Sequence, residues 1–219
     1  MITTLDIVHP DPDELLGEGN EAHPMREVTR QVAFEPGGWT PERAAKVTAL
    51  FDGLAPEWHT RMNPGRMLAL TDALERGGVD GAVAASSRPL VLELGSGTGF
   101  ATPHLSERYG RVVAMDLSRE MLRHAAAVAG APRVQADAAR LPLAGGAVAA
   151  LVLVNMLLFP AEVDRVVDSG GVVVWVNSLA ERTPIHLPAA DVARALPGRW
   201  DGVGSRAGGG SWCVLRRAG

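Results

Sequence analysis

One stretch constrains this chain more than any other: Val91-Leu92-Glu93-Leu94-Gly95-Ser96-Gly97-Thr98-Gly99. Arg88-Pro89 leads into a short apolar run, glycine then takes every second position, and Phe100 to Tyr109 reads as a helix. A strand that passes through a glycine loop into a helix start is a βα unit. It lets a ligand lie against backbone amides at the helix N-terminus. Glycine suits the loop because the turn needs unusual φ values and because a Cβ would hold the ligand off.

Two details sharpen this expectation. The spacing is G-x-G-x-G, whereas the dinucleotide fingerprint places its third glycine one residue later, where Phe100 stands. Glu93 interrupts an apolar strand, and a buried carboxylate is costly unless donors or a cation meet it. A ligand bearing an ammonium group would satisfy it; a pyrophosphate would repel it. These residues resemble the first motif of the class I S-adenosylmethionine-dependent methyltransferases. The resemblance implies that Gly95, Ser96, Gly97 and Thr98 pass beside the methionine part of S-adenosyl-L-methionine, and that Glu93 serves its amino group. A plain tight turn between strand and helix is the alternative.

The length of 219 residues suits one domain, or one with a helical appendage. Hydrophobic residues make up 47% of the chain, yet no apolar run approaches the roughly 20 residues of a membrane span. No basic-then-apolar leader opens the sequence, so a cytoplasmic protein away from membranes is expected. The lone Cys213 excludes an internal disulfide and a multi-cysteine metal site, and no metal is expected. The formal net charge is −4 and the arginines are scattered, without the basic face that grips nucleic acid. The expected partner is a small molecule, and nothing in the sequence sets the oligomeric state.

Taken in order, His9 to Pro36 is rich in proline, glycine and acid and reads as loop around a short helix at Met25–Val32. It is either a solvated tail or a flap over the active site. Thr40 is placed to cap a helix, with Pro41 at its first position and Glu42 at its positive end. Val47, Leu50, Phe51 and Leu54 then recur at helical spacing. A short helical piece follows at Glu57–Met62, and a further helix runs from Asn63-Pro64 until Gly77-Gly78. The stretch Phe51 to Trp58 is similar to the helix preceding the first strand in many small-molecule methyltransferases. That similarity implies Trp58 closing over the cofactor and Arg61 contacting the cofactor's carboxylate. Packing on the sheet and a surface ion pair are the respective alternatives.

Beyond the loop, Arg111 to Met115 reads as a strand ending in Asp116-Leu117, about twenty residues on, where βαβ nucleotide-binding units place an acid for ribose hydroxyls. A carboxylate there accepts two hydrogen bonds from a vicinal diol. Ser118 caps the next helix. The strand Arg133–Ala136 ends in Asp137-Ala138, which resembles the family segment holding the adenine edge; a helix-capping Asp is the alternative. Val148 to Val154 is a continuous apolar run, as a central parallel strand requires. Ala149 stands where many family members carry an acid, and no Asn-Pro-Pro-Tyr-like motif follows. Asn155, at the carboxyl end of that strand, either touches ligand or caps a turn.

Pro160–Asp168 reads as helix, Ser169-Gly170-Gly171 as a turn, Val172–Val176 as strand and Pro188–Leu196 as helix. Arg199–Arg206 and Ser211–Arg217 read as a closing hairpin. The expected architecture is α/β: a Rossmann-like, seven-stranded, mostly parallel sheet with an antiparallel C-terminal hairpin. An N-terminal arm and helical cap (1–88) precede a cofactor-binding core (89–219). The function implied is metal-free, in-line methyl transfer to a small molecule. A non-catalytic S-adenosylmethionine-binding sensor or scaffold is the alternative, and an NAD-dependent oxidoreductase a more distant one. No catalytic base is evident; His59 and His186 are the histidines expected near the pocket.

Overall fold

The computed structural model describes residues 1–11, 22–61, 63–126 and 131–218. The Pro- and Gly-containing part of the arm (12–21) and Met62, the last residue of the short helical piece, lie outside the described residues. Helices dominate residues 25–85: α1 (Met25–Phe34), α2 (Pro41–Leu54), 3-10 turns at Ala55–Arg61 and Pro64–Met67, α3 (Leu68–Arg76) and α4 (Val79–Ala85). The Thr40 hydroxyl accepts from the Arg43 amide at 3.1 Å, which satisfies one of the otherwise orphaned donors of α2. Asn63 does the same for Gly65 at 2.8 Å. The sequence reading did not anticipate α4.

Then strands and helices alternate: β2 (Val91–Leu94), α5 (Thr102–Arg108), β3 (Val112–Asp116), α6 (Arg119–His124), β4 (Arg133–Gln135), β5 (Val148–Val154), α7 (Pro160–Val166), β6 (Val167–Asn177), α8 (Ala189–Ala195), β7 (Trp200–Ala207) and β8 (Gly210–Arg217). The strands lie in the order β1-β7-β8-β6-β5-β2-β3-β4, where β1 is Ile2–Thr4. All neighbours are parallel except β8 with β6 and β7, as expected for the C-terminal hairpin. The sheet thus has an eighth strand beyond the seven anticipated. Ile2–Thr4 is too short to register as a strand in sequence, and forms because β7 offers an open edge.

A second departure lies at Ser169-Gly170-Gly171. The chain makes no turn there; α7 runs directly into β6, which shifts register against β5 between Val148/Val167 and Ala150/Val172. Gly171 permits this close approach, since a Cβ would sit 2.9 Å from the Val148 carbonyl oxygen. β5 explains why the sheet is covered on both sides. Leu151 and Leu153 join one core with Val163, Val192 and Leu196, while Ala150 and Val152 join the other with Leu70, Leu74 and Val79. Each fully buried Val or Leu contributes about 1.5–3 kcal/mol, so this central strand anchors both layers. No helix among the described residues is long and apolar enough to cross a membrane.

Candidate functional site

At the carboxyl end of β2 the backbone turns through Gly95, Gly97 and Gly99, whose φ values of +74°, +55° and +80° disfavour any other residue. The amides of Gly95 and Ser96 both donate to the Met115 carbonyl, at 2.8 and 3.0 Å, which binds the loop to the end of β3. The loop's middle is held from the same strand: the Gly97 amide donates to Asp116 Oδ2 at 2.8 Å. Asp116 Oδ1 accepts from the Ser118 amide, also at 2.8 Å. Burial raises the Asp116 pKa against the pull of these amides and that of Leu117, with the charge of Asp52 adding to the rise. Each carboxylate oxygen keeps a second lone pair, so the group can still accept from a diol.

Glu93 is 3% exposed. Its partner is Thr102, whose hydroxyl donates to Oε2 at 2.5 Å from the first turn of α5. Burial pushes Glu93 up to about 8; the Thr102 bond opposes the rise and the charge of Asp116 adds to it. At neutral pH this carboxyl is therefore largely protonated until a cation arrives. Ser96 Oγ is buried in the loop without a hydrogen-bond partner among the described residues. An aminoacyl nucleoside fits this set: an orphaned hydroxyl in the glycine loop, one carboxyl for an amine and one for a diol.

Trp58 lies over the loop, its indole nitrogen 3.5 Å from where a Cβ on Gly97 would stand. Phe51 meets Trp58 edge-on at 5.8 Å, and the Arg61 guanidinium stacks 5.2 Å from the Trp58 ring centroid. These two expected residues are thus brought together beside Gly97. A cavity of about 330 Å³ opens next to them, lined by Ala55, His59, Thr98, His124 and Ala126.

Asp137 is engaged by a residue the sequence reading missed. The Trp39 indole donates to both of its carboxylate oxygens at 3.1 Å, and Trp39 meets Phe159 edge-on at 5.2 Å. Asp137 Oδ1 also accepts from the Ala139 amide at 2.8 Å, as a capping residue does. Ala138 is buried between them in sequence. Asn155 adopts φ +50° and binds Ser178 twice: its amide nitrogen donates to Ser178 Oγ, and its Oδ1 accepts from the Ser178 amide, both at 2.8 Å. It joins the carboxyl ends of β5 and β6.

The two histidines differ in setting. His59 is exposed beside the cavity, with Nδ1 3.1 Å from the Pro56 carbonyl. His186 Nδ1 lies 3.5 Å from Arg26 Nη1. Among the described residues no three His, Cys, Asp or Glu side chains group as metal ligands. Besides Trp39, sequence reasoning missed Thr102, Asp52 and Met156. Asp52 accepts from the Ser118 hydroxyl at 2.5 Å, and the Met156 sulfur occupies the space where a Cβ on Gly95 would go. Only Thr102 left a signal, a hydroxyl at the start of the helix that follows the loop.

The family model that matches is a methyltransferase domain, over residues 91–171. No curated protein matches the chain. Among solved structures, DhpI in complex with SAH is 22% identical over 80% of this chain and 97% of its own, with a TM-score of 0.58. A SAM-dependent methyltransferase from Aquifex aeolicus is 17% identical over 81% of this chain and 97% of its own, with a TM-score of 0.51. For a putative type II methyltransferase from Anaeromyxobacter dehalogenans the identity is 26% and the TM-score 0.40, and the chain spans only 45% of that protein.

Proposed function

We propose that this chain is a class I S-adenosylmethionine-dependent methyltransferase that transfers a methyl group in line, without a metal, to a small-molecule acceptor. The observation that carries this reading is the convergence on one glycine loop of Glu93, Asp116 and Trp58. The cofactor, when bound, supplies an electrophilic sulfonium methyl. Everything else falls to the protein's own residues. Glu93 receives the amino group and Asp116 the ribose diol. Asp137 and the amide of Ala138 hold the adenine edge beside Leu117. Trp58 covers the loop, Arg61 faces the carboxylate, and Asn155 with Ser178 forms the floor on the acceptor side. The N-terminal arm and helical cap (1–88) cover a core at 89–219.

Alignment of the acceptor with the methyl group, and exclusion of water by the cap, are what such a site contributes. Orientation of this kind is worth about 7–11 kcal/mol when the geometry is right. A small acceptor suits the mildly acidic chain, whose formal charge of −4 does not favour a polyanion. Calorimetry with S-adenosylmethionine and with NAD tests the cofactor assignment, and binding of NAD alone overturns it. Formation of S-adenosylhomocysteine from a pool of small metabolites tests the acceptor class. Turnover on RNA or DNA in place of that pool rejects it.

A further inference from the structure

The last turn of α2 and the glycine loop are joined by a closed circuit of neighbours that runs through Asp52. Asp52 Oδ1 accepts from the Ser118 hydroxyl at 2.5 Å and lies 3.4 Å from the Glu120 amide, which fastens α2 to the start of α6. Ser118 is buried, and its polar groups point three ways. Its hydroxyl donates to Asp52 and accepts from the Met121 amide at 3.0 Å, while its own amide donates to Asp116 Oδ1 at 2.8 Å. The other oxygen of Asp116 accepts from the Gly97 amide, also at 2.8 Å. Gly97 lies beneath the Trp58 indole, and Trp58 meets Phe51 edge-on at 5.8 Å. Phe51 is the chain neighbour of Asp52, so the circuit closes where it began.

We infer that Asp52 is a positioning residue for cofactor binding: through Ser118 it fixes the Asp116 carboxylate in the orientation that receives the ribose diol. This rests on the methyl-transfer reading above, in which Asp116 takes the diol. An aspartate carboxyl turns easily about its terminal torsion, whose preferences are broad. It accepts both hydroxyls of a diol well only when its plane is set beforehand, and the Ser118 and Gly97 amides set it. A serine hydroxyl turns to suit whichever acceptor it meets. With Asp52 as that acceptor, Ser118 is held from α2 as well as from its own helix. The charge of Asp52 reaches Asp116 too, adding to the rise in pKa that burial imposes there. Order established before the ligand arrives need not be imposed by binding, and so appears as affinity. An Asp52 that only anchored α6 would matter equally to every cofactor analogue. A role exercised through Asp116 is felt only by ligands that carry the diol.

The test titrates the full chain by calorimetry with S-adenosylhomocysteine and with its 2′,3′-dideoxy analogue. Asp52→Ala is expected to weaken S-adenosylhomocysteine binding about fivefold, as loss of one ordinary hydrogen bond does, and to change binding of the dideoxy analogue by less than about twofold. Asp52→Asn keeps a carbonyl oxygen for the Ser118 hydroxyl and is expected to return to within about twofold of wild type. If Asp52→Ala does not fold, Ser118→Ala breaks the same bond from the other side, and the same pair of ligands decides. Wild-type affinity in Asp52→Ala overturns the proposal, and so does an equal loss for both ligands. Asp52→Asn binding as weakly as Asp52→Ala overturns it as well. If the wild-type chain binds neither ligand, it is the methyl-transfer reading that fails. The two failures stay distinct, because the variants are judged only against a wild type that binds S-adenosylhomocysteine.

Discussion

The Trp39 indole donates to both carboxylate oxygens of Asp137, each at 3.1 Å, and so ties the segment leading into α2 to the loop just after β4. The contact fastens the start of α2 to the place proposed for adenine. Trp39→Phe keeps the ring against Phe159 and removes only the donor. The variant is expected to lose about 1.5 kcal/mol of stability, the lower end for a hydrogen bond to a charged group, because the site is half-buried. Urea denaturation reads this directly. An unchanged midpoint means that water replaces the indole at no cost.

Asp116 has two duties, holding the Gly97 and Ser118 amides and, as proposed, receiving the ribose. Asp116→Ala is expected to weaken S-adenosylmethionine binding by about 1.5–3 kcal/mol. Calorimetry on a variant whose circular dichroism is unchanged checks it, and full affinity in that variant removes the assignment.

Glu93 makes stability depend on pH with a definite sign. Its pKa in the folded chain is about 8, above the ordinary carboxylate value of 4.5. The folded state therefore holds a proton that the unfolded chain releases between these values. Stability is full below about pH 4.5 and falls as pH rises toward 8, by on the order of a few kcal/mol. Glu93→Gln is expected to be the more stable protein at pH 8–9, with the gap closing below pH 5. Denaturation midpoints across that range decide it, and a constant gap contradicts the buried-proton account. Because the ligand's ammonium would ionise Glu93, binding at pH 7 is expected to release a proton. Calorimetry in buffers of different ionisation enthalpy detects it.

Asn155 is strained at φ +50° yet retained by two bonds to Ser178. Asn155→Ala loses both bonds and keeps the strain, whereas Asn155→Gly loses the bonds and relieves it. The alanine variant is expected to be less stable than the glycine variant by about 1 kcal/mol. Equal melting of the two rules out a backbone role for this position.

Trp58→Ala uncovers Gly97 and removes the ring on which Arg61 rests. Trp58 is only half-buried, so stability should change little while cofactor affinity falls by about tenfold, the loss of one aromatic contact. A fluorescence titration against S-adenosylhomocysteine measures it, and unaltered affinity returns Trp58 to mere packing.

Local pattern was enough for several of these features. The glycine spacing after an apolar run dictated the βα loop, because the positive φ values there admit little else. The Thr40 and Ser118 caps were visible for the same local reason, one side-chain oxygen reaching amides three residues on. The unbroken apolar run of β5 announced a strand covered on both faces. What joins distant segments was not visible. Trp39 finds Asp137 at a separation of 98 residues, and the turn of the C-terminal hairpin packs against Gly65 and Leu68 on one side and the carbonyls of Asn177 and Ser178 on the other. The strand at Ile2–Thr4 exists only where β7 leaves an edge to pair with. Residue type and spacing determine which local conformations and chemistries are available. Burial and long-range contact then decide which carboxyl keeps its proton and which side chain reaches it, since both depend on neighbours the sequence holds far apart.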